Sequence, residues 1–425
     1  MKKLFALLMA LVLVFGLAAC GGSSGGNDTP ADPGTPDTPS PSEPEKIKIG
    51  FIFLHDENST YDLNFMRSAK EVCEAEGVEY IQKVGIPEDS ECLTAAEELV
   101  DAGCSLVFSD SFGHQPYMIE AAKEFPDVEF VSATGDRAWT ENIPNFHNAF
   151  AHIYDGRYLA GVVAGLKLNE MIENGEFTPE EALIGYVGAK PYAEVYSGFT
   201  SFYLGARSIC PTAKMEVTFT GEWYEETLEK EAAQHFIDRG CKLISQHADS
   251  MGAPTACENA GVPNVSYNGS TIDSCPNTFL VSSRIDWSPY MTYMIEAVKA
   301  GKSFDTDWCG TLATGSVALT DINEKACAPG TAEKLEEVRE KLMSGEIHVY
   351  DTSTFTISYV DPDTFTNTSA TMDADGYVTS YLADCVFDPD YTPDTEVVKD
   401  GYIHESEVRS APYFYLLLDG ITIIG

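Results

Sequence analysis

Apolar positions along the chain fall into short blocks separated by segments of helical period, and their order predicts the fold. The stretch Lys46-Ile47-Lys48-Ile49-Gly50-Phe51-Ile52-Phe53-Leu54 alternates at first and then runs continuously apolar, the pattern of a strand buried on both faces. Phe65, Ala69, Val72 and Cys73 then recur at helical spacing, and Gly77 follows as a stop. The unit repeats, with strands near Val78–Val84, Leu106–Ser109 and Val128–Ala133 and helices from about Ser90 to Ala102 and Gln115 to Glu124. Strand and helix alternating every 25 residues or so, by roughly the length of a βαβ repeat, predict a parallel sheet with right-handed crossovers.

A second series starts with a helix at Tyr154–Leu168. Strands are expected at Leu183–Val187, Lys214–Phe219, Leu243–Gln246, Val262–Tyr267 and Thr278–Ser283, with helices at Val195–Ala206, Thr227–Arg239 and Pro289–Ala300. This is a second α/β lobe. From Gly310 the pattern is less regular, with a helix about Thr331–Met343 and β-like runs at Thr352–Val360 and Tyr413–Leu418.

The beginning of the chain reads differently. Met1-Lys2-Lys3 precedes an apolar run from Leu4 to Ala19, and the run closes on Leu17-Ala18-Ala19-Cys20. That layout predicts a signal peptide over 1–19, and its end resembles the lipobox of bacterial lipoproteins. The resemblance implies cleavage before Cys20 and a lipid on its sulfur, which would place the body outside the cell, anchored to the outer face of the cytoplasmic membrane. Residues 20–45 are dominated by Gly, Ser, Pro, Asp and Thr, too polar to bury a core, and read as a disordered tether.

Composition then narrows the partners. A net charge of -41 disfavours nucleic acid and anionic membrane surfaces, which would repel the chain. Besides Cys20 there are ten cysteines among the 11 in the sequence; an exported body permits disulfides, but no pair sits as CxxC. Enzyme signatures are missing: there is no GxGxxG after a strand, no GxSxG elbow and no HExxH. Gly301-Lys302-Ser303 ends a predicted helix where a phosphate loop should begin one, and His147 and His152 have no carboxylate cluster beside them. No catalytic residue, metal or cofactor is expected.

In open α/β sheets ligands bind beyond the carboxyl ends of the strands. Nearly every predicted strand end offers an aromatic and a polar residue, a mixture suited to stacking on a flat ring and hydrogen-bonding its edge. These loops supply Asp56, Tyr61, Asn64, Phe112, Trp223, Asp249, Asn268 and Trp287 as candidate ligand-binding residues.

Several strings carry a resemblance. Phe125-Pro126-Asp127-Val128-Glu129-Phe130, Tyr154-Asp155-Gly156-Arg157-Tyr158-Leu159-Ala160-Gly161, Ile184-Gly185-Tyr186-Val187-Gly188, and Gly198 through Gly205-Ala206 resemble the basic membrane protein family of ABC-transporter substrate-binding lipoproteins. The likeness runs in order from Ile47 to about Tyr350 and implies a type 1 periplasmic-binding-protein fold, two Rossmann-like lobes joined by a three-crossing hinge. The first lobe would hold 46–152 with about 285–320 and the second 153–284 with about 321–350. Residues 351–425 would form a C-terminal extension packed on the lobes.

The resemblance further implies a purine base or nucleoside in the cleft, a membrane permease as partner and a body acting as a monomer. Gly221-Glu222-Trp223-Tyr224, Gln246-His247-Ala248-Asp249-Ser250 and Asp286-Trp287 look most like the branch that binds a free purine. On that likeness Trp223 and an aromatic of the first lobe sandwich the ring, and Asp249 or Asn64 contacts its edge. Asn58-Ser59 stands where that branch carries Gly-Trp, and the lysine and aspartate that hold ribose in the nucleoside branch have no counterpart after Ser283 or near Asn268. A ligand-sensing receptor with the same pocket, or a binding protein for another small molecule, fits the same residues; a nucleoside hydrolase fits them less well.

Overall fold

In the computed structural model, residues 47–361, 366–386 and 392–424 are described. The expected signal peptide, Cys20 and tether lie outside them.

The first apolar run forms β1 (Lys48–Ile52), whose Ile49, Phe51 and Ile52 are fully buried. Helix α1 (Thr60–Glu76) follows, begun by Ser59, whose hydroxyl accepts from the Asp62 N–H, and stopped at Gly77 with φ +63°. Repetition of this unit gives β2 (Glu79–Lys83), α2 (Ser90–Asp101), β3 (Leu106–Ser109), α3 (Gln115–Glu124), β4 (Glu129–Ala133), a short α4 (Ala138–Glu141) and β5 (Phe146–Ala151). The strands pair in parallel in the order β2-β1-β3-β4-β5.

Helix α5 (Ile153–Glu173) carries the chain to a second sheet of β6 (Leu183–Gly188), β7 (Lys214–Phe219), β8 (Leu243–Gln246), β9 (Asn264–Tyr267) and β10 (Phe279–Ile285), in the order β7-β6-β8-β9-β10. Its helices are α6 (Ala193–Ile209), α7 (Glu226–Asp238) and α8 (Gly252–Ala260). The chain returns through α9 (Ser288–Lys299), tied to α1 by Lys299 Nζ at 2.7 Å from Glu76, and adds β11 (Asp307–Gly310) to the edge of the first sheet beside β5. It crosses once more at 311–316, and β12 (Val317–Leu319) pairs antiparallel with β10 before α10 (Thr331–Ser344). Two Rossmann-like lobes thus meet at three crossings, with their strand ends facing one another.

The lobes share a core in which α5 lies directly on α6. A Cβ on Gly161 would stand 2.0 Å from the Phe202 carbonyl oxygen, and one on Gly205 would stand 2.0 Å from that of Tyr158. Only glycine lets the two backbones approach so closely.

Beyond α10 the expected β-like runs are corrected. Thr352–Val360 contributes only an isolated bridge from Thr356 to Tyr377, and Tyr413–Leu418 forms no strand. Side chains hold these segments instead: Asp419 accepts from Thr356 Oγ1 at 2.6 Å, and Asn367 Nδ2 donates to the carbonyls of Tyr359 and Leu417, each at 2.8 Å. Phe414, Leu416 and Leu418 are buried, Phe414 stacking on Tyr350 at 4.3 Å. The final strand, Ile421–Ile423, pairs in parallel with β7 and so extends the second sheet. The ten cysteines among the described residues are all free thiols, and all but Cys309 are buried. No helix of the described residues is long and apolar enough to cross a membrane.

Candidate functional site

The carboxyl ends of the two sheets enclose a narrow cavity between the lobes. Four of the residues singled out from the sequence line it together: Tyr61 and Phe112 from the first lobe, Trp223 and Asp249 from the second. Leu54, His55, Ser111, Thr134, Glu194, His247 and Tyr267 complete the wall.

On the first-lobe side, α1 sets Tyr61. Its hydroxyl donates to the Asp110 carbonyl at 2.6 Å and its ring meets Phe65 edge-on at 4.9 Å. Beneath it lie two buried carboxyl groups, Asp62 and Asp110, whose titrations pull in opposite directions. Burial and then the neighbouring Asp62 raise Asp110 well above the usual carboxylate range. Burial also acts to raise Asp62, but hydrogen bonds from His55, Asp110 and Ser59 outweigh it and hold Asp62 low. Asp62 is therefore the anion, and it orients His55 by accepting from its backbone N–H at 2.7 Å and facing its Nδ1 at 3.2 Å.

On the second-lobe side, Arg157 of α5 is fully buried behind the cavity wall. It donates to the Gln246 carbonyl at 3.1 Å, to Tyr186 Oη at 2.5 Å and to His247 Nδ1 at 2.9 Å. A guanidinium only donates, so His247 Nδ1 carries a lone pair and its hydrogen sits on Nε2, 3.4 Å from Glu194 Oε1. Burial keeps His247 below its ordinary range, which agrees with this neutral tautomer.

Asp249 differs from its neighbours. Its carbonyl accepts from the Thr60 N–H at 3.1 Å across the cleft and its own N–H donates to the Trp223 carbonyl at 3.0 Å. Its carboxyl has no hydrogen-bond partner among the described residues. Burial, then Asp62, Glu229 and Glu194, raise it well above the carboxylate range. A protonated Asp249 presents one O–H donor and one acceptor to the cavity. Trp223 stands beside it, edge-on to Tyr192 at 5.7 Å.

The lobes are shut. Thr60 Oγ1 donates to the Tyr267 carbonyl at 3.2 Å, and at the mouth Lys190 of the second lobe pairs with Glu88 of the first at 3.4 Å. The space left free is about 20 Å³, room for about one water. A ring can enter only when the lobes part and these side chains draw back.

Four candidates lie outside the lining. Asp56 is exposed and its Oδ1 accepts from the Asn58 N–H at 3.0 Å, closing its own loop. Asn64 is a latch between lobes, its Nδ2 donating to the Ile285 carbonyl at 2.6 Å. Asn268, next to Tyr267, is buried at φ +64°, and its Nδ2 has no partner among the described residues. Trp287 packs in the core, stacked on Phe65 at 4.4 Å and edge-on to Phe108 at 6.2 Å, because it closes the first turn of α9 against α1. Glu194 and Thr134 gave no signal in the sequence: Glu194 lies just before the predicted helix and in the first turn of the observed α6, and Thr134 enters the wall through a left-handed backbone of φ +60°.

Among the described residues no three His, Cys, Asp or Glu side chains are placed to hold a metal ion.

Comparison with known proteins follows the same outline. Residues 53–353 match the Bmp family, described as ABC transporter substrate-binding protein, PnrA-like. A purine-binding protein of Brucella abortus is 31% identical over 313 residues, covering 72% of this chain and 83% of that protein. A putative ABC transporter glucose-binding protein of Haloferax volcanii is 29% identical over 342 residues, covering 79% and 81%. Among solved structures, a solute-binding protein of Conexibacter woesei aligns with TM-score 0.58 at 23% identity, over 71% of this chain and 98% of that one. Another, from Aeropyrum pernix, aligns with TM-score 0.60 at 18% identity over 75% and 95%. These structures share the periplasmic-binding-protein fold.

Proposed function

This chain belongs to the Bmp family of ABC transporter substrate-binding proteins, and on that footing we propose that its cleft captures a free purine base outside the cytoplasm and delivers it to a membrane permease. Substrate-binding proteins of ABC importers work outside the cytoplasm and engage a permease, and the families alike in sequence and fold are binders of solutes, not enzymes.

The observation that carries the reading is Trp223 beside the enclosed, unpartnered carboxyl of Asp249, whose burial favours its neutral form, in a cavity also lined by Tyr61, Phe112 and Tyr267. A purine offers two faces and an edge on which acceptor and donor alternate, as N7 and the N6 amine of adenine do. Aromatic rings take the faces. One protonated carboxyl matches the edge, donating and accepting in the same plane. The lysine and aspartate that hold ribose in the nucleoside branch have no counterpart here, which favours a free base over a nucleoside. Arg284, at the end of β10, is engaged with Asp286 at 3.0 Å instead of facing a sugar. The Brucella relative is named for purine binding, which points the same way.

Attachment belongs to the same proposal. A lipid on Cys20 and a tether of about two dozen residues would keep the body near the membrane, where raised effective concentration offsets modest docking affinity.

The test is a thermal-shift comparison of adenine, guanine, hypoxanthine, their nucleosides and glucose. A ligand at 100 times its dissociation constant adds about 2.7 kcal/mol of stability. Purine bases are expected to give the largest shifts. Glucose stabilising the protein while no purine does would overturn the assignment.

A further inference from the structure

A second cavity, of about 330 Å³, lies where the first crossing between lobes meets the end of α10 and the C-terminal extension. None of its walls is shared with the cleft. The start of α5 contributes His152, Tyr154 and Asp155; the segment after α10 contributes His348 and Tyr350; the extension contributes Tyr402 to Glu407.

Ring faces make up much of the wall. Tyr402 is stacked on His348 at 3.7 Å and on His404 at 4.0 Å, with interplanar angles of 4° and 16°. On the hinge side His152 stacks on Tyr154 at 5.1 Å. The carboxyl groups at the wall are those of Asp155 and Glu407, and no lysine or arginine lines the cavity.

Most polar groups here are already engaged. Glu407 pairs with Lys399 at 2.6 Å, His404 Nε2 faces the Lys399 carbonyl at 3.2 Å, and Tyr350 Oη meets Ser197 Oγ at 2.8 Å. Tyr154 Oη donates to the Glu405 carbonyl at 3.2 Å, while the Glu405 carboxyl is sealed in the packed interior. Glu405, sealed inside, and Asp155, which lines the cavity, have carboxyls without a hydrogen-bond partner among the described residues. Asp155 is walled in so closely that burial pushes it up to about 7. An enclosed carboxyl without a partner is costly, and a positive charge brought into the cavity would supply the partner.

We propose that this cavity is a second ligand site, distinct from the cleft, that takes a small organic cation: an ammonium or guanidinium head paired with Asp155 and its body packed beside the His348–Tyr402–His404 stack. A carboxylate beside aromatic rings can hold a cation by charge while the rings cover its apolar body. A metal ion is disfavoured by geometry, since no three ligating side chains converge among the described residues. The site also touches the connections between the lobes. Its hinge wall is the first crossing, and its outer wall belongs to an extension that reaches both lobes, through Ser410 N–H to Asp307 at 2.8 Å in the first and through Ile421–Ile423 beside β7 in the second. A bound cation would therefore brace the lobes against one another.

The test is calorimetric titration of the full chain with choline, ethanolamine, putrescine and arginine, each against sodium chloride of equal ionic strength. At least one cation is expected to bind with one-to-one stoichiometry, and Trp223→Ala is expected to leave that binding unchanged. Asp155→Asn removes no hydrogen bond within the protein and so should fold; it is expected to weaken the cation at least tenfold, as is Tyr402→Leu. No heat from any of the four, or equal affinity in Asp155→Asn, would overturn the proposal. Neither result would bear on purine binding in the cleft.

Discussion

The guanidinium of Arg157 lies 3.8 Å from the centre of the Tyr267 ring. That contact joins the hinge helix to the cavity wall: Arg157 is in α5, and Tyr267, at the end of β9, faces the cleft. The same guanidinium fixes the tautomer of His247 and through it the contact with Glu194.

Replacing Arg157 should therefore be felt twice. Arg157→Met strands the Gln246 carbonyl and leaves Tyr186 Oη and His247 Nδ1 only their long 3.4 Å contact with each other, and a loss of about 3 kcal/mol in unfolding free energy is expected from urea titration. Arg157→Lys should recover little of it, because an ammonium cannot span three acceptors from one plane. A loss below about 1 kcal/mol for Arg157→Met would show that these groups find other partners.

The close approach of α5 and α6 gives a second expectation. Gly205→Ala puts a methyl group 2.0 Å from the Tyr158 carbonyl oxygen, a backbone atom that cannot swing away. The helices must separate, and a cost of about 1–3 kcal/mol is expected in thermal or chemical unfolding. An unchanged midpoint would mean that the contact is looser than the geometry shows.

Asp155 sets a pH dependence whose sign is fixed by its folded value of about 7 against an ordinary 3.8. Between those values the folded state holds a proton that the unfolded chain has released, so this group makes stability fall as pH rises. Asp155→Asn should match the wild type near pH 4 and then become progressively more stable relative to it up to about pH 7, by at most ~1.4 kcal/mol per pH unit. Denaturant midpoints of the two proteins across that range provide the check, and a constant difference would remove the assignment.

At the mouth of the cleft, Lys190 closes on Glu88, whose carboxylate also accepts from Ser111 Oγ and the Gly113 N–H. Lys190→Ala should speed ligand release up to about fivefold at low salt, the range of a partly exposed ion pair, and hardly at all in 0.5 M salt, roughly where screening is complete. Stopped-flow dissociation at the two salt concentrations measures this. Equal release rates at low salt would show that the pair does not gate the cleft.

The parts of this fold legible in the sequence are those where the pattern itself does the folding. Buried strands such as β1 and β3 are continuous apolar runs, and α1 announces itself by period and by the glycine at its end. β5 was not legible because His147 and Asn148 interrupt its apolar run; both are buried yet satisfied, His147 by Glu129 and the Asp305 carbonyl, Asn148 by the Ser132 carbonyl and the Ala138 N–H. β11 and β12 are short segments whose pairing depends on strands far away in sequence. In the site, loops after strands drew attention to Tyr61, Phe112, Trp223 and Asp249, which the fold brings together around one cavity. Trp287 misled because the loop-like Asp286 precedes it, whereas its ring follows the helical period of α9 into the core. Glu194 and Thr134 become visible only once two lobes face each other.

The most direct measurement is calorimetric titration of a purine base into the wild-type chain and into Trp223→Ala. One-to-one binding by the wild type, weakened in the variant by about 1–3 kcal/mol as expected for the loss of one stacking face, would agree with a base held between aromatic rings. No binding of any purine base, or equal affinity in Trp223→Ala, would contradict it.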